Sequence, residues 1–346
     1  MSATAQAADL IFPHPVPPQP GEMTDIAPGI RWLRLALPFA LDHVNVYLID
    51  DGEGWAVLDT GIADLRTRTI WQELLARGLG GRPLTRLILT HYHPDHLGLA
   101  GWMTRDLGLP LAMTAREHAA GMSAHRILDE EGRAAHRAFF VRHGLAPAAI
   151  EAAMGRGTSY LKMTTGLPDA FELLAAGRSI RIGGRAFEVM TGGGHAPEQA
   201  MLLCRADGVF LAADQVLARI SPNISVWPTE PEADPLAEYR ASLAALRASV
   251  PDDVLTLPAH NLPFYGLHQR IAALERHHDA RCEDILAACA SPRTTAEILP
   301  VLFPRLLDAH QLGFAFGEAL AHINHLVRDG SLLAAEEGGV VRFQRR

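Results

Sequence analysis

The segment HYHPDH, residues 91–96, carries four side chains of the kinds that bind metal ions: His91, His93, Asp95 and His96. Neutral imidazole and carboxylate are ligands that zinc and other borderline divalent ions prefer. One or two histidines near the end of a strand are usually surface or hydrogen-bonded core residues, but packing does not explain four ligand-type groups in six positions. The segment therefore predicts a metal site, and its two pairs of ligands suggest two metals.

The elements around this segment predict how it is positioned. Residues 86–90, RLILT, form an apolar run typical of a buried strand, and the histidines follow at its C-terminal end. In layered α/β proteins that end of a strand is the usual rim for a site. Upstream, residues 30–62 read as short strands separated by turns, and residues 63–80 read as a helix that ends in glycine.

Three further ligand-type residues follow predicted strands later in the chain. His195 comes after EVMTGGG, Asp214 after VFLAA and His260 after VLTLPA. A lone histidine is usually structural, but each of these residues stands at the same end of its strand as the first cluster does. Because a site for two metals needs more ligands than one loop provides, we expect these residues to complete it.

Two other regions read as mainly helical. Residues from about 115 to 177 predict a helical insertion that could cover the site. We expect its histidines to be packed or solvated, since no carboxylate or cysteine pattern accompanies them; they are His118, His125, His136 and His143. Residues 279–346 read as helices followed by a hairpin, the order of a small winged-helix-like module. This module could form the interface of a homodimer, or it could shape the active site.

Charge and composition limit the function classes. The formal net charge is -8, and residues 280–346 carry seven arginines against eight acids, a net of 7 - 8 = -1. An acidic chain is poorly suited to diffuse phosphate-backbone binding, so nucleic acid is a less favoured partner than a small molecule. Residues 1–22 form a Pro-rich arm without a signal-peptide pattern, and no run of about 18 apolar residues occurs. We therefore expect a cytoplasmic protein that does not span a membrane.

The motifs together resemble a known family. THYHPDHLG is similar to the THxHxDHxG signature of the metallo-β-lactamase-fold hydrolases, and the later GGGH, AAD and PAH elements match the remaining ligand motifs of that family in order. The VLDTG stretch resembles its early strand-turn. The resemblance covers roughly residues 30–265 and implies an α/β fold, a four-layer αββα sandwich with the site at one edge between the two sheets. We place this domain at residues 23–278.

The resemblance also implies a role for each motif residue. Three ligands would bind each ion and one carboxylate would bridge the two: His91, His93 and His195 for the first, Asp95, His96 and His260 for the second, and Asp214 between them. Asp59 would support the ligand loop without touching a metal. We expect two divalent ions, zinc before manganese or iron, because His/Asp sets accept all three.

The expected reaction is hydrolysis. A metal-bridging hydroxide would attack an ester, thioester or lactone-like carbonyl of a small or acyl substrate, with Asp95 as the catalytic residue that orients the hydroxide or passes on its proton. The run GGGHAPEQA departs from that of glutathione thioesterases, which counts against that substrate. Four residues near Asp214 and His260 could line a substrate pocket or simply pack at its rim: Arg219, Asn223, Trp227 and Tyr265.

Two other functions stay open. A phosphodiesterase or endoribonuclease would use the same ligands on single-stranded RNA, since the chain from LERHHDARCEDILAA onward is similar to a group of small family members, some of which cut RNA. That function predicts an arginine-lined groove and strongly salt-dependent binding. A non-catalytic di-metal redox or sensing module would bind the same metals without turnover.

Overall fold

Two stacked β-sheets lie at the centre of the protein, and helices cover both outer faces. The computed structural model describes residues 10–124, 130–154, 159–305 and 307–346. A separate two-stranded hairpin ends the chain. Among the described residues, no helix is long and apolar enough to cross a membrane.

The first sheet has seven strands that neighbour one another in chain order. They are β1 (Met23–Ala27), β2 (Ile30–Ala36), β3 (His43–Asp50), β4 (Trp55–Leu58), β5 (Leu84–Ile88), β6 (Leu111–Met113) and β7 (Glu172–Leu173). Strands β1 to β4 pair antiparallel, whereas β4 to β7 pair parallel. Parallel neighbours need crossovers. Helix α1 (Leu65–Ala76) connects β4 to β5, and α2 (Pro94–Leu97) and α3 (Ala100–Arg105) connect β5 to β6.

The second sheet has five strands in the order β12-β11-β10-β9-β8. They are β8 (Ser179–Ile182), β9 (Arg185–Gly192), β10 (Gln199–Cys204), β11 (Val209–Ala213) and β12 (Leu255–Pro258). Antiparallel hairpins join β8 to β9 and β10 to β11. Strands β11 and β12 run parallel, and helix α8 (Pro235–Ser249) makes the crossover between them. The Asp234 side chain caps this helix by accepting from the Ala237 backbone nitrogen at 3.0 Å.

Alternating burial assigns each strand face to a layer. In β3, Val46 and Leu48 pack with α1, whereas Tyr47 and Ile49 pack between the two sheets. Strands covered on both faces read as continuous apolar runs, and NVYLID is such a run. The second sheet likewise packs Leu202 inward, and its outer face meets α8. The layers are therefore helices, sheet, sheet and helices, and the predicted four-layer sandwich is confirmed.

The helical insertion lies between β6 and β7. Its helices are α4 (Ala115–Ser123), α5 (Glu130–Arg142), α6 (Pro147–Met154) and α7 (Ser159–Lys162). Phe139, Phe140 and Ile150 of this insertion belong to the apolar cluster on the outer face of the second sheet. The insertion therefore starts from the first sheet and packs against elements of the second.

The C-terminal region packs on the same outer face. It contains α9 (Leu267–Ala288), α10 (Thr295–Leu302), α11 (Ala309–Arg328), β13 (Leu332–Glu337) and β14 (Val340–Arg345). Phe316 and Leu320 of α11 share one apolar cluster with Leu243 of α8 and Ile271 of α9. Helix α9 runs unbroken through residue 278, so it carries the chain from one predicted domain into the next. The predicted order of helices and hairpin is present, and the domain division stays a prediction.

Candidate metal centre

Four strand ends meet at one edge of the sandwich. The segment 91–96 follows β5, and His195, Asp214 and His260 follow β9, β11 and β12. Every one of the seven predicted ligand side chains belongs to a group whose ligand atoms lie within 4.8 Å of one another. The groups are His91, His93 and His195; His91, His96 and Asp214; and Asp95, His96 and His260. Residues far apart in the chain are thus brought to one place by the two sheets.

The Asp214 carboxylate lies in the middle of the cluster. Its Oδ2 is 3.2 Å from the Nε2 of His195, 3.4 Å from that of His260 and 3.6 Å from that of His96. The Nε2 of His91 is 4.0 Å away. One carboxylate therefore lies within reach of histidines that follow strands of both sheets.

Hydrogen bonds determine which ring nitrogen faces the cluster. The Nδ1 of His195 donates to the backbone oxygen of Asn223 at 2.8 Å, and the Nδ1 of His260 donates to the backbone oxygen of His43 at 2.7 Å. Because Nδ1 of each ring is bonded to a backbone oxygen, Nε2 is the nitrogen that faces the site. Such outer hydrogen bonds orient histidine ligands in metal proteins.

Asp59 does the same for the ligand loop. Its Oδ2 accepts from the Nδ1 of His96 at 2.7 Å and from the Thr90 hydroxyl at 2.8 Å, and its Oδ1 accepts from the Thr90 backbone nitrogen at 2.9 Å. The Thr90 hydroxyl in turn accepts from the Nδ1 of His91 at 2.9 Å. One buried carboxylate therefore orients His96 directly and His91 through Thr90.

Strained backbone surrounds the cluster. Asp59, Ala213 and Asn261 have positive φ angles of 63°, 47° and 70°. Non-glycine residues rarely adopt this left-handed conformation, and it costs free energy that the surrounding structure must offset. Ala213 directly precedes Asp214 and Asn261 directly follows His260, so the strain lies where ligands leave their strands.

Three buried polar atoms in the cluster have no hydrogen-bond partner among the described residues. They are the Nε2 atoms of His96 and His195 and the Oδ1 atom of Asp214. Buried polar atoms are nearly always paired, so each of these needs a partner. A divalent cation would satisfy all three, and a set of imidazole nitrogens and carboxylate oxygens fits zinc, manganese or iron.

The electrostatics of the cluster also favour a cation. Burial alone would raise the pKa of Asp214, but His260 and His96 outweigh it and hold that pKa well below its usual range. Burial lowers the pKa of His93 to about 3, with His195 adding to the effect. Against the effect of burial, Asp214 and Asp95 raise the pKa of His260 to about 10. Ionised carboxylates thus face histidine nitrogens, and in a metal site the cation supplies the compensating charge.

Glu117, on α4, is a buried carboxylate that the sequence analysis missed. Its Oε2 accepts from the Tyr92 backbone nitrogen at 3.0 Å and its Oε1 from the Glu198 backbone nitrogen at 2.5 Å. Burial raises its pKa to about 7. Tyr160 of α7 also donates its hydroxyl to the Tyr92 backbone oxygen at 2.7 Å. The insertion therefore ties the ligand loop to the loop that follows His195, and no spacing in the sequence signals this.

The four predicted substrate residues are placed differently from one another. Trp227 is 40% exposed, and its ring meets that of Phe314 edge to face at 6.4 Å. The Arg219 guanidinium lies over the Phe12 ring at 5.2 Å. Asn223 supports His195, and Tyr265 pairs with Ile11 and packs against the cluster between the sheets. Trp227 is thus the solvent-exposed aromatic of the four, whereas Asn223 and Tyr265 have packing and support roles.

Two histidines of the insertion pack against aromatic side chains. His118 stacks on Phe171 at 4.1 Å, and His143 is buried beside Phe343. None of the three-ligand groups among the described residues includes a histidine of this insertion. His125 lies outside the described residues.

Two family models match the chain. The model described as Metallo-beta-lactamase superfamily matches residues 40–260, which contain all seven clustered side chains. The model described as Metallo-beta-lactamase-like, C-terminal domain matches residues 282–346, from the last part of α9 to the final hairpin. The first match includes strands β3 to β12, and the second includes α10, α11 and the final hairpin.

Similar proteins extend over nearly the whole chain. A beta-lactamase domain protein from Burkholderia ambifaria is 41% identical, with a TM-score of 0.87 and 97% of each chain covered. A metallo-beta-lactamase family protein from Thermus thermophilus is 30% identical, with a TM-score of 0.78, and the match covers 92% of this chain and 99% of that protein. Probable metallo-hydrolase YqjP of Bacillus subtilis is 24% identical over 325 residues, 90% of this chain and 96% of its own. This chain belongs to the metallo-beta-lactamase superfamily.

Proposed function

We propose that the protein binds two divalent metal ions and hydrolyses an ester, thioester or lactone-like carbonyl of a small or acyl substrate. Membership of the superfamily makes the chain a metal-dependent hydrolase. The observation that carries the finer proposal is the convergence of seven ligand-type side chains at one edge of the sandwich, with three of their buried atoms lacking a partner among the described residues. A buried cluster of imidazole nitrogens and carboxylate oxygens is suited to hold metal cations.

The groups of close ligand atoms support one assignment. Three residues would hold each ion and one would hold both: His91, His93 and His195 for the first, Asp95, His96 and His260 for the second, and Asp214 for both. When bound, such a pair of ions lowers the pKa of a water molecule and stabilises the attacking and leaving oxygens. Zinc is the ion that we expect, with manganese and iron as alternatives.

Asp95 differs from Asp214 in its access to solvent. The Asp95 side chain is 18% exposed and that of Asp214 is 7% exposed. The Oδ2 of Asp95 lies 3.4 Å from the Nε2 of His260 and 3.5 Å from that of His96. We therefore assign to Asp95 the orientation of the attacking water and the transfer of its proton towards solvent, because a carboxylate at the rim can do both.

The rim of the site supports an acyl substrate over RNA. Trp227, on the segment that supports His195, and Phe314, on α11, form an exposed aromatic pair. The guanidinium of the nearby Arg219 lies over another aromatic ring, that of Phe12. The net charge of -8 also opposes binding of a polyanion. An aromatic rim of this kind suits an apolar chain or ring attached to the scissile carbonyl.

The test is a hydrolase screen of the metal-loaded protein beside His93→Ala. The panel contains an ester, a thioester, a lactone and a single-stranded RNA. Wild-type protein is expected to cleave at least one carbonyl substrate, and His93→Ala to lose both that activity and bound metal while keeping its circular dichroism spectrum. His136→Ala is the matched control, since that ring bonds to the Gly132 backbone oxygen in its own helix. It is expected to behave as wild type.

Each other outcome would change the proposal in a defined way. Full activity of His93→Ala would remove the assigned mechanism. Cleavage of RNA alone, with strong dependence on salt, would favour the endoribonuclease. Two bound metals without turnover on the panel would favour a redox or sensing module.

A further inference from the structure

The C-terminal helix α11 is connected to a proposed metal ligand by a short series of hydrogen bonds. The Nδ1 of His195 donates to the backbone oxygen of Asn223 at 2.8 Å. The side-chain nitrogen of Asn223 donates in turn to Glu318 Oε2 at 3.2 Å and to the backbone oxygen of Phe314 at 3.3 Å. Asn223 is therefore held by α11 through its side chain and holds His195 through its backbone.

The contact continues along the segment 223–227. The Val226 backbone nitrogen donates to the Gly317 backbone oxygen at 3.1 Å. The residues of α11 that meet the segment are three and four positions apart, at 314, 317 and 318, so they share one face of the helix. One face of α11 is thus packed along the segment that supports His195.

Gly317 permits this close approach. A Cβ atom at this position would lie 2.9 Å from the Cβ and Oγ of Ser225 and 3.0 Å from the backbone oxygen of Val226. Ser225 and Val226 are buried, so they have little room to move away. Glycine inside a helix is less stable than alanine, and the close contact is the physical reason for a glycine here.

Glu318 anchors the same contact from the helix side. Its carboxylate is buried, and its Oε1 lies 3.7 Å from the Nε of Arg281 on α9. The other oxygen, Oε2, accepts from Asn223. Glu318 therefore links two C-terminal helices to the support of a ligand that follows the second sheet.

We propose that α11 sets the position of His195 through the segment 223–227, with Gly317, Glu318 and Asn223 as positioning residues for the metal centre. The inference rests on the proposed function, since it takes His195 to be a metal ligand. The C-terminal region then helps to assemble the site through a hydrogen-bonded segment, without supplying a ligand itself.

The test compares Gly317→Ala with Gly313→Ala in the full-length protein. Both replace a glycine of α11, but an added Cβ at Gly313 meets nothing within 4 Å. Metal-free protein is titrated with Co²⁺, and the visible absorption spectrum and the affinity against a competing chelator are recorded. Gly317→Ala is expected to shift the spectrum and weaken Co²⁺ binding by about 10–100-fold, the range for lost outer support of a ligand. Gly313→Ala is expected to match wild type.

A second pair of variants separates positioning from general stability. Glu318→Ala removes both the acceptor for Asn223 and the ion pair with Arg281, whereas Glu318→Gln keeps one acceptor oxygen for Asn223 and loses the carboxylate that faces Arg281. We expect both variants to unfold at lower temperature. Only Glu318→Ala is expected to change the Co²⁺ spectrum, and the glutamine variant to retain it.

The outcomes distinguish this inference from the proposed function. Wild-type protein that binds no Co²⁺ would overturn both. Wild type that binds Co²⁺, together with Gly317→Ala and Glu318→Ala proteins whose spectra and affinities equal those of Gly313→Ala, would overturn the inference alone. Equal spectral changes in Glu318→Ala and Glu318→Gln would also overturn it, because the hydrogen bond to Asn223 would then not matter.

Discussion

The two sheets contribute to the candidate metal centre in different ways. The first sheet supplies one contiguous loop, 91–96, in which the buried carboxylate of Asp59 orients His96 directly and His91 through Thr90. The second sheet supplies His195 and His260 from separate strand ends, and backbone oxygens of Asn223 and His43 orient them. Support by a side chain depends on residue type, whereas support by a carbonyl depends on where the backbone runs.

The difference has an energetic side. Hydrogen bonds to a carboxylate are charge-assisted and stronger than those to a neutral carbonyl. The carboxylate can therefore hold its ligand loop largely by itself. A backbone carbonyl positions its histidine only if the surrounding packing keeps that carbonyl in place. We call the segment 91–96 the loop half of the site, and His195, Asp214 and His260 the dispersed half. The positions of the side chains in the loop half are thus sensitive to single substitutions, and those in the dispersed half are sensitive to the packing of remote elements.

The largest expected effect comes from the residue that joins both halves. Asp214→Asn keeps the size of the side chain but removes the charge that faces His195, His260 and His96. Loss of outer support typically costs about 10–100-fold in metal affinity, and loss of a bridging ligand is expected to cost more. Elemental analysis and the hydrolase assay measure this, and we expect both metals and activity to be lost.

Asp207→Asn is the matched control for that variant. Asp207 lies in the hairpin turn of the same sheet and pairs with Arg185 at 2.9 Å. Metal content and activity are expected to equal those of wild type. If Asp214→Asn retained both metals, the bridging role of Asp214 would be wrong.

A smaller effect, confined to the loop half, is expected for Asp59→Asn. Asparagine tolerates the positive φ of this position, so the backbone should be retained while one acceptor oxygen and the charge are lost. We expect metal affinity to fall by about 10–100-fold. Isothermal titration with Zn²⁺ measures the two binding steps. Unchanged affinity in both steps would contradict the support role of Asp59, because this carboxylate orients His96 directly and His91 through Thr90.

The smallest effect is expected for Glu117→Gln, which changes a connection between the loop 91–96 and the loop that follows His195. Glu117 accepts from two backbone nitrogens, those of Tyr92 and Glu198, and glutamine offers one acceptor oxygen for the two. Glu117→Gln is expected to lower the free energy of unfolding by roughly 1–3 kcal/mol, because a buried N–H loses its partner. Denaturant unfolding of the metal-free protein measures this. The exposed Glu130→Gln serves as control, and equal stability of the two variants would contradict the role of Glu117.

The sequence was most informative where chemistry and local pattern coincide. The ligand loop depends on residue types at short spacings, and the later ligand-type residues stand directly after predicted strands, so both stood out from the sequence. The support from Asp59 was implied only by the resemblance of the VLDTG stretch to a family motif.

The sequence was least informative where support crosses between elements. Glu117 is one acid among several in a helical insertion, and nothing in its spacing connects it to Tyr92 or Glu198. For Asn223 the sequence left open a substrate-binding role and a packing role at the rim, and it did not indicate that the side chain contacts α11 while the backbone holds His195. Every residue has a backbone oxygen, so residue type does not show which one binds a histidine. These contacts therefore could not be predicted from the pattern.

By itself, the sequence determined the fold class and the hydrolase family, because its ordered motifs resemble those of one family, and it predicted seven metal-binding side chains from their chemistry and their places after strands. The tertiary structure decided which ring nitrogens face the cluster, which buried atoms lack a hydrogen-bond partner among the described residues and how α11 reaches His195. Those features depend on distances between segments that are far apart in the chain. Only the packing of the two sheets and the C-terminal helices sets such distances.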